Sequence, residues 1–250
     1  MKTLDLNLTK YSTTFQIGSF DTDLNGNAKI TSICNYLQEI AGKHVDLINQ
    51  GIDDLKSNNL AWVLSRLILK IDRLPKWKEE IEIETWSTGT DGLFGNREFR
   101  IVDSTGKTLA IAGSSWLVIN ITNKRPVRPH KIVEKMPINP ESPLFDYPLP
   151  KITINNDFDT EEEIHVQYSD IDINQHVNNV KFVEWVIDSC PIEFLTQKQI
   201  RELEINFMHE AKLNETLSIS KSTGNSGKHH FLIRNKESKT ENCRAIITWN

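Results

Sequence analysis

The feature that most constrains the fold of this chain is an internal repeat. Residues 21–27 read DTDLNGN and residues 170–176 read DIDINQH, so Asp170, Asp172 and Asn174 each lie 149 positions after an identical residue in the first copy. In both copies the motif leads into an apolar segment with spacings of three and four, which predicts a helix. A chain of 250 residues whose two halves share this pattern is expected to fold as two similar units.

Strand-like runs follow each predicted helix. In the first half they cover residues 60–71, 80–86, 96–103 and 107–121. In the second half one run, residues 165–169, precedes the predicted helix, and four follow it at residues 201–208, 215–220, 229–235 and 243–250. Because the helix comes early and the strands are consecutive, the sequence predicts an α+β fold in which an antiparallel sheet wraps each helix. Pairing the two sheets edge to edge would cover an open strand edge of each, so we expect a covalent pseudo-dimer.

A proline-rich segment separates the two copies. Seven of the nine prolines fall between Pro126 and Pro150, where they disfavour helix interiors and central strands. We therefore expect an N-terminal domain over residues 1–125, a linker over 126–155 and a C-terminal domain over 156–250. Apolar side chains such as Met136 and Phe145 are expected to anchor the linker to the surface.

Composition excludes several classes of protein. The net charge of −5 gives no support for nucleic-acid binding, and no run of about 18 apolar residues indicates a membrane span. The three cysteines form no CxxC motif, and residues 1–15 contain no apolar run of signal-peptide length, so we expect no signal peptide there. We expect a cytoplasmic protein without a bound metal or other cofactor. The run DTDLNGNAKITS resembles the start of a calcium loop, but its twelfth position is Ser32 rather than a carboxylate.

The two copies differ at the seventh position of the motif, where Asn27 in the first copy is replaced by His176 in the second. Shared Asp and Asn residues suit turns and helix caps, whereas an added imidazole near a helix start suits general-base chemistry. Free N–H groups at a helix N-terminus can hold a developing oxyanion, so the amides of Val177 and Asn178 are candidates for carbonyl binding. A histidine in a loop is also commonly without a chemical role.

The segment DIDINQHVNNVKFVEWVIDS (170–189) closely resembles the signature of plant and bacterial acyl-acyl-carrier-protein thioesterases. Residues 95–120 and TNKRPVRP (122–129) resemble further segments of that family. The resemblance implies two tandem hotdog units, each a long helix wrapped by an antiparallel sheet. It also implies hydrolysis of the thioester between a fatty acyl chain and the phosphopantetheine arm of acyl carrier protein.

Carried over residue by residue, the resemblance implies catalytic roles for Asp172, Asn174, His176 and Glu210. The chain departs from the family pattern after Glu210, because Ala211 stands where the family has cysteine. A cysteine nucleophile at that position is excluded, which leaves water. Whether His176 or Glu210 is the base stays open.

Aligning residues 81–84 with 217–220 places Leu74 opposite Glu210. The first unit therefore lacks counterparts of both the His176 imidazole and the Glu210 carboxylate, and we expect it to supply the acyl pocket.

The segment NKRPVRPHK is basic, and acyl carrier protein is acidic, so Lys124, Arg125, Arg128 and Lys131 are expected to contribute to carrier-protein docking. The alternative is a solvated linker. Two alternative functions stay open: an acyl-CoA thioesterase or another hotdog acyl-thioester enzyme, and a non-catalytic acyl-binding regulator. The sequence does not determine the preferred length and saturation of the acyl chain. A homodimer also stays open.

Overall fold

The computed structural model describes residues 9–129, 132, 136–139, 143–154, 158–224 and 227–250. The first repeat, here called lobe 1, contains β1 (Tyr11–Gln16), α1 (Ile30–Leu47), α2 (Ile52–Ser57), β2 (Leu60–Ile71), β3 (Glu80–Thr90), β4 (Phe94–Asp103) and β5 (Thr108–Asn120). A two-residue strand, β6 (Pro126–Val127), then pairs with β5.

The second repeat, lobe 2, contains β7 (Thr160–His165), α3 (Asn179–Asp188), α4 (Ile192–Gln197), β8 (Ile200–Phe207), β9 (Thr216–Thr223), β10 (Lys228–Asn235) and β11 (Glu241–Trp249). A single turn of 3-10 helix precedes the motif in each lobe, at Ser19–Asp21 and Tyr168–Asp170. The predicted α+β fold with one long helix in each lobe is confirmed.

The strands form one sheet in the order β1-β3-β4-β5-β2-β8-β11-β10-β9-β7, with β6 beside β5. Each lobe contributes its strands in the same order, and β2 pairs antiparallel with β8 at the centre. In that pairing Leu67 faces Ile205 and Leu69 faces Leu203. The edge-to-edge pairing removes the exposed edge that each lobe would present alone, so the covalent pseudo-dimer is also confirmed.

The core lies between the sheet and the two long helices. Helix α1 contacts α3 and the strands β1 and β3. Its buried side chains include Ile33, Leu37 and Ile40, and those of α3 include Val180 and Val183. Full burial of a side chain of this size stabilises the fold by about 1.5–3 kcal/mol, so the two packed helices supply much of the driving force for folding.

The proline-rich segment packs on the other face of the sheet. Successive residues of a strand point to opposite faces, and on β4 Phe99 points toward the helices while Glu98 points away from them. The buried carboxylate of Glu98 accepts the backbone N–H groups of Leu144 and Phe145 at 2.8 and 3.0 Å. The segment then reaches lobe 2, where Asn206 Oδ1 accepts the N–H of Ile152 at 2.8 Å.

Met136 and Phe145 are buried, as the sequence indicated. The domain boundaries at residues 125 and 156 stay predictions.

One predicted strand position is wrong. The strand expected at residues 165–169 is found at Thr160–His165 instead. It is an edge strand with mostly exposed side chains, so it carries no apolar alternation. The predicted second helix, α3, begins at Asn179, because Oδ1 of Asn178 accepts the N–H of Val180 at 2.8 Å and caps the helix.

Among the described residues, no helix is long and apolar enough to cross a membrane.

Candidate active site

The two motif loops have the same backbone hydrogen bonds. In lobe 1 the N–H of Asp23 donates to the carbonyl of Asn27 at 2.8 Å. In lobe 2 the N–H of Asp172 donates to the carbonyl of His176 at 2.9 Å. The repeat seen in the sequence is therefore a repeat of conformation, and His176 replaces Asn27 on an unchanged loop.

Asp172 and Asn174 hold this loop together. Oδ1 of Asp172 accepts the N–H of Asn174 at 2.8 Å, and the N–H of Gln175 donates to the carbonyl of Asp172 at 3.0 Å. Gln175 has a φ of 65°, a left-handed conformation that the tight turn requires. The Asp172 carboxylate thus forms an Asx turn, and its described hydrogen bonds lie within the loop rather than on His176.

The structure brings His176 and Glu210 together. Nε2 of His176 lies 2.9 Å from Oε2 of Glu210, and Nζ of Lys124 lies 3.8 Å from Oε1 of the same carboxylate. Glu210 follows β8, and Lys124 follows β5 of the other lobe. The His176 side chain is 22% exposed and that of Glu210 is 37% exposed, so the pair is accessible to water. The contact with Lys124 could not be read from the sequence, because nothing local links these two segments.

The amides expected to bind a carbonyl are already occupied. The N–H of Val177 donates to the carbonyl of Ala211 at 2.9 Å, and the N–H of Asn178 donates to the carbonyl of Asp170 at 2.8 Å. Neither has a proton left for an oxyanion in this conformation, so the carbonyl-binding role expected for these amides is not supported. The error arose because a helix N-terminus was assumed to be free, whereas here it is joined to the turn after β8.

The same backbone bonds fix the correspondence between the lobes. The N–H of Ala28 donates to the carbonyl of Pro75 at 2.7 Å, just as that of Val177 donates to Ala211. Pro75 and Ala211 are therefore equivalent, and so are their preceding residues, Leu74 and Glu210. Lobe 1 has an amide and an alkyl side chain in the places of the imidazole and the carboxylate.

An apolar cleft lies between the sheet and the two long helices, and its lining includes Asn179 and Phe207, three residues from His176 and Glu210 in the chain. It is lined by Cys34, Leu37, Gln38, Leu64, Leu67, Phe99, Ser114, Trp116, Asn179, Val180, Val183 and Phe207. Most of these residues belong to lobe 1, and Asn179 is the first residue of α3. The cleft has a cavity volume of about 10 Å³, which is room for about one water molecule. An acyl chain would therefore require the lining side chains to move apart.

The basic residues expected to dock a carrier protein are exposed where the structure describes them. Lys124, Arg125 and Arg128 lie on the surface around β6. Lys131 lies outside the described residues. Lys124 thus connects this basic segment to the His176–Glu210 pair.

The cysteines are all buried and free. Burial raises the pKa of the Cys34 and Cys190 thiols to about 12 and also raises that of Cys243. These thiols are protonated at neutral pH and unsuited to nucleophilic attack.

Comparison with known proteins places the chain in a family. Residues 8–136 match the family model for the acyl-ACP thioesterase N-terminal domain, where ACP denotes acyl carrier protein, and residues 154–250 match that for the acyl-ACP thioesterase C-terminal domain. The chain belongs to the acyl-ACP thioesterase family. Among solved structures, an acyl-ACP thioesterase from Bacteroides thetaiotaomicron superimposes with a TM-score of 0.87 at 28% identity, covering 97% of this chain and 98% of that one. This membership confirms the tandem hotdog fold that the sequence indicated.

Other members of the acyl-ACP thioesterase family are similar over much of the chain. A palmitoyl-acyl carrier protein thioesterase from Arabidopsis thaliana is 28% identical over 226 residues, which cover 84% of this chain and 54% of that protein. The 12:0-ACP thioesterase from Umbellularia californica has the same fold, with a TM-score of 0.87 at 22% identity and coverage of 97% of each chain. The chain spans about half the length of the palmitoyl-acyl carrier protein relatives that it matches.

Proposed function

We propose that this protein hydrolyses fatty acyl-acyl-carrier-protein thioesters to free fatty acid and carrier protein, with water as the nucleophile. The observation that carries the proposal is the His176–Glu210 contact of 2.9 Å, in a protein with an apolar cleft whose lining includes Asn179, three residues after His176. Family membership supports the same reaction, since the related proteins are named as hydrolases or thioesterases of acyl carrier protein substrates.

The pair forms one proton-accepting unit. A water bound at the pair loses a proton to it as the water oxygen attacks the thioester carbonyl carbon. The C–S bond then breaks, and the departing pantetheine sulfur receives a proton, which leaves a fatty acid and a thiol. Because the two groups are within hydrogen-bond distance, a proton taken from water can pass between them. Asp172 and Asn174 position the loop that carries His176.

The acyl chain occupies the cleft in lobe 1. Asn179 lines the cleft and lies three residues after His176, so a thioester at the pair directs its chain between α1 and α3. The walls are aliphatic and aromatic side chains, including Leu37, Phe99 and Val183, which suit an alkyl chain. Lobe 2 therefore supplies the catalytic groups, and lobe 1 supplies most of the surface that binds the acyl chain.

The carrier protein approaches over Lys124, Arg125 and Arg128. Lys124 lies 3.8 Å from Glu210, and Arg125 and Arg128 are exposed in the same segment of a chain whose net charge is −5, so the three cations offer a local positive field to an acidic partner. The cytoplasmic location and a homodimer of this chain stay predictions.

The test is thiol release from matched acyl carrier protein and acyl-CoA substrates of different chain lengths. We expect hydrolysis of the carrier-protein thioesters with a higher kcat/KM than of the CoA thioesters, and a loss of about 10²- to 10⁴-fold in His176→Ala. His209→Ala, a neighbouring exposed histidine, is the control and should retain activity.

Equal rates on both substrates would favour an acyl-CoA thioesterase. Ligand binding with no thiol release from either substrate would favour a non-catalytic acyl-binding protein.

A further inference from the structure

A second cavity lies at the place in lobe 1 that corresponds to the catalytic pair in lobe 2. It is lined by Asn27, Ile71, Arg73, Leu74, Lys76 and Ile200, together with Gln199, and has a volume of about 220 Å³. Asn27 is the counterpart of His176, and Leu74 is the counterpart of Glu210. The cavity also crosses the junction of the lobes, since Gln199 and Ile200 come from lobe 2.

The lining of this cavity is suited to binding without hydrolysis. Ile71 and Ile200 are buried and Leu74 is half-buried, which gives an apolar wall. Neither Asn27 nor Leu74 can accept a proton as the His176–Glu210 pair can. A ligand held here would therefore stay intact.

One cation on the wall is available for an anionic ligand. Arg73 is engaged, because its Nη1 and Nη2 donate to the carboxylate of Glu79 at 2.8 and 2.7 Å. Lys76 is exposed, and among the described residues no carboxylate lies within ion-pair distance of its ammonium. An apolar wall beside one unpaired ammonium is complementary to an alkyl chain that ends in a carboxylate.

Exposed apolar side chains lie on the two chain segments that carry Lys76 and Asn27. Trp77 is 53% exposed and Leu24 is 72% exposed. Their counterparts in lobe 2, Leu213 and Ile173, are exposed by 45% and 85%. Both lobes therefore present apolar side chains on these segments, although lobe 1 lacks the imidazole and the carboxylate.

We propose that this cavity is a second site, which binds a free fatty acid with its carboxylate on Lys76 and its chain against Ile71, Leu74 and Ile200. The cavity volume is about that of seven water molecules in the liquid, which gives room for about seven or eight carbon atoms of a chain. Octanoate is thus a suitable probe. Binding here does not require the proposed hydrolysis, and His176→Ala should leave it unchanged.

The experiment is a titration of the full chain with octanoate, followed by NMR of labelled isoleucine and leucine methyl groups. Ile71, Leu74 and Ile200 report on the second site, whereas Leu37, Leu64 and Leu67 report on the cleft. We expect the methyl signals of the first group to shift and to saturate. Octan-1-ol, which lacks the carboxylate, should bind at least about fivefold more weakly, a ratio equivalent to about 1 kcal/mol.

A matched pair of charge reversals tests the carboxylate contact. Lys76→Glu should weaken octanoate binding at Ile71 and Ile200 by about fivefold or more, a ratio typical of a partly exposed ion pair. Lys78→Glu makes the same charge change at a lysine whose ammonium lies over the Trp77 ring, outside the cavity lining, and should have a smaller effect.

The proposal is overturned if the methyl signals of Ile71 and Ile200 stay unchanged while those of the cleft respond. It is equally overturned if the two lysine variants weaken binding alike. If the wild-type protein hydrolysed no thioester, the proposed function would be contradicted, but the methyl shifts expected here would be unaffected.

Discussion

Nε2 of His176 lies 2.9 Å from Oε2 of Glu210, although the two residues come from different parts of lobe 2. Their counterparts in lobe 1, Asn27 and Leu74, cannot form such a contact. Of these two equivalent positions, the one in lobe 2 therefore carries an acid–base pair and the one in lobe 1 does not.

Replacing Glu210 with Gln keeps the shape of the side chain but removes its charge and its basicity. We expect kcat for thioester hydrolysis to fall by about 10²-fold or more, because the pair no longer accepts a proton from water. Glu162→Gln on the exposed edge strand β7 is the matched control and should retain wild-type activity. An E210Q enzyme with unchanged kcat would rule out a chemical role for this carboxylate.

Reversing the charge of Lys124 should weaken productive binding of the carrier protein. Its ammonium lies 3.8 Å from Oε1 of Glu210, so Lys124→Glu removes an attractive charge at the entrance. We expect kcat/KM to fall by about three- to tenfold at low ionic strength and the difference to shrink in 0.5 M salt, where exposed charges are screened over about 4 Å. Lys151→Glu reverses the charge of an exposed lysine in the proline-rich segment and should change kcat/KM little. A loss that is independent of salt would contradict electrostatic docking.

Removing the carboxylate of Glu98 should loosen the proline-rich segment. Its Oε1 accepts the N–H groups of Leu144 and Phe145, and Oε2 accepts the indole N–H of Trp86 at 3.1 Å. Glu98→Ala leaves these buried donors without a partner, so the free energy of unfolding should fall by about 3 kcal/mol in urea titrations. The free energy of unfolding should fall less in Glu98→Gln than in Glu98→Ala. A change below about 1 kcal/mol in the alanine variant would contradict this anchoring role.

His229 should make the stability depend on pH. It is buried in β10 against Phe194, with ring centroids 4.7 Å apart, and neither ring nitrogen has a hydrogen-bond partner among the described residues. Its pKa is lowered chiefly by burial. The nearby charged groups that also act on it are Lys221, Lys198 and His230, which lower the pKa, and Asp159, which raises it.

Because the pKa of His229 is lower in the folded state, the unfolded chain binds the proton more tightly. The stability gained from a neutral His229 is therefore present above pH of about 6.5 and is lost as the pH falls below it. In urea unfolding between pH 8 and pH 5, the wild type should lose more stability than His229→Phe. Parallel curves for the two proteins would show that this histidine does not contribute.

The three cysteines should be unreactive in the native protein. Burial raises the pKa of Cys34 and Cys190 to about 12, so almost no thiolate exists at pH 8. We expect Ellman's reagent to modify no thiol within minutes under native conditions and three thiols in denaturant. Iodoacetamide should leave hydrolysis unchanged. Inactivation that accompanies the loss of one thiol would contradict water as the nucleophile.

Much of the fold could be predicted because its signals are local. The strand at Leu60–Ile71 was predicted to the residue, since it is a long β-rich run between turns. The edge strand Thr160–His165 was missed, because its exposed polar residues leave no periodic pattern. In the site, the special position of His176 could be read from its replacement of Asn27. Its nearness to Glu210 was implied only by a family resemblance.

The sequence alone determined that the chain is a duplication with an α+β fold and that one copy gained an imidazole, because repeats and periodicity are properties of neighbouring residues. Only the tertiary structure decided that Lys124 reaches Glu210, and that the amides of Val177 and Asn178 are already bonded. It also decided which side chains line the two cavities. The Lys124–Glu210 contact and the two cavities join segments of different lobes, which the pairing of β2 with β8 brings together, whereas the two amide hydrogen bonds depend on how lobe 2 itself folds.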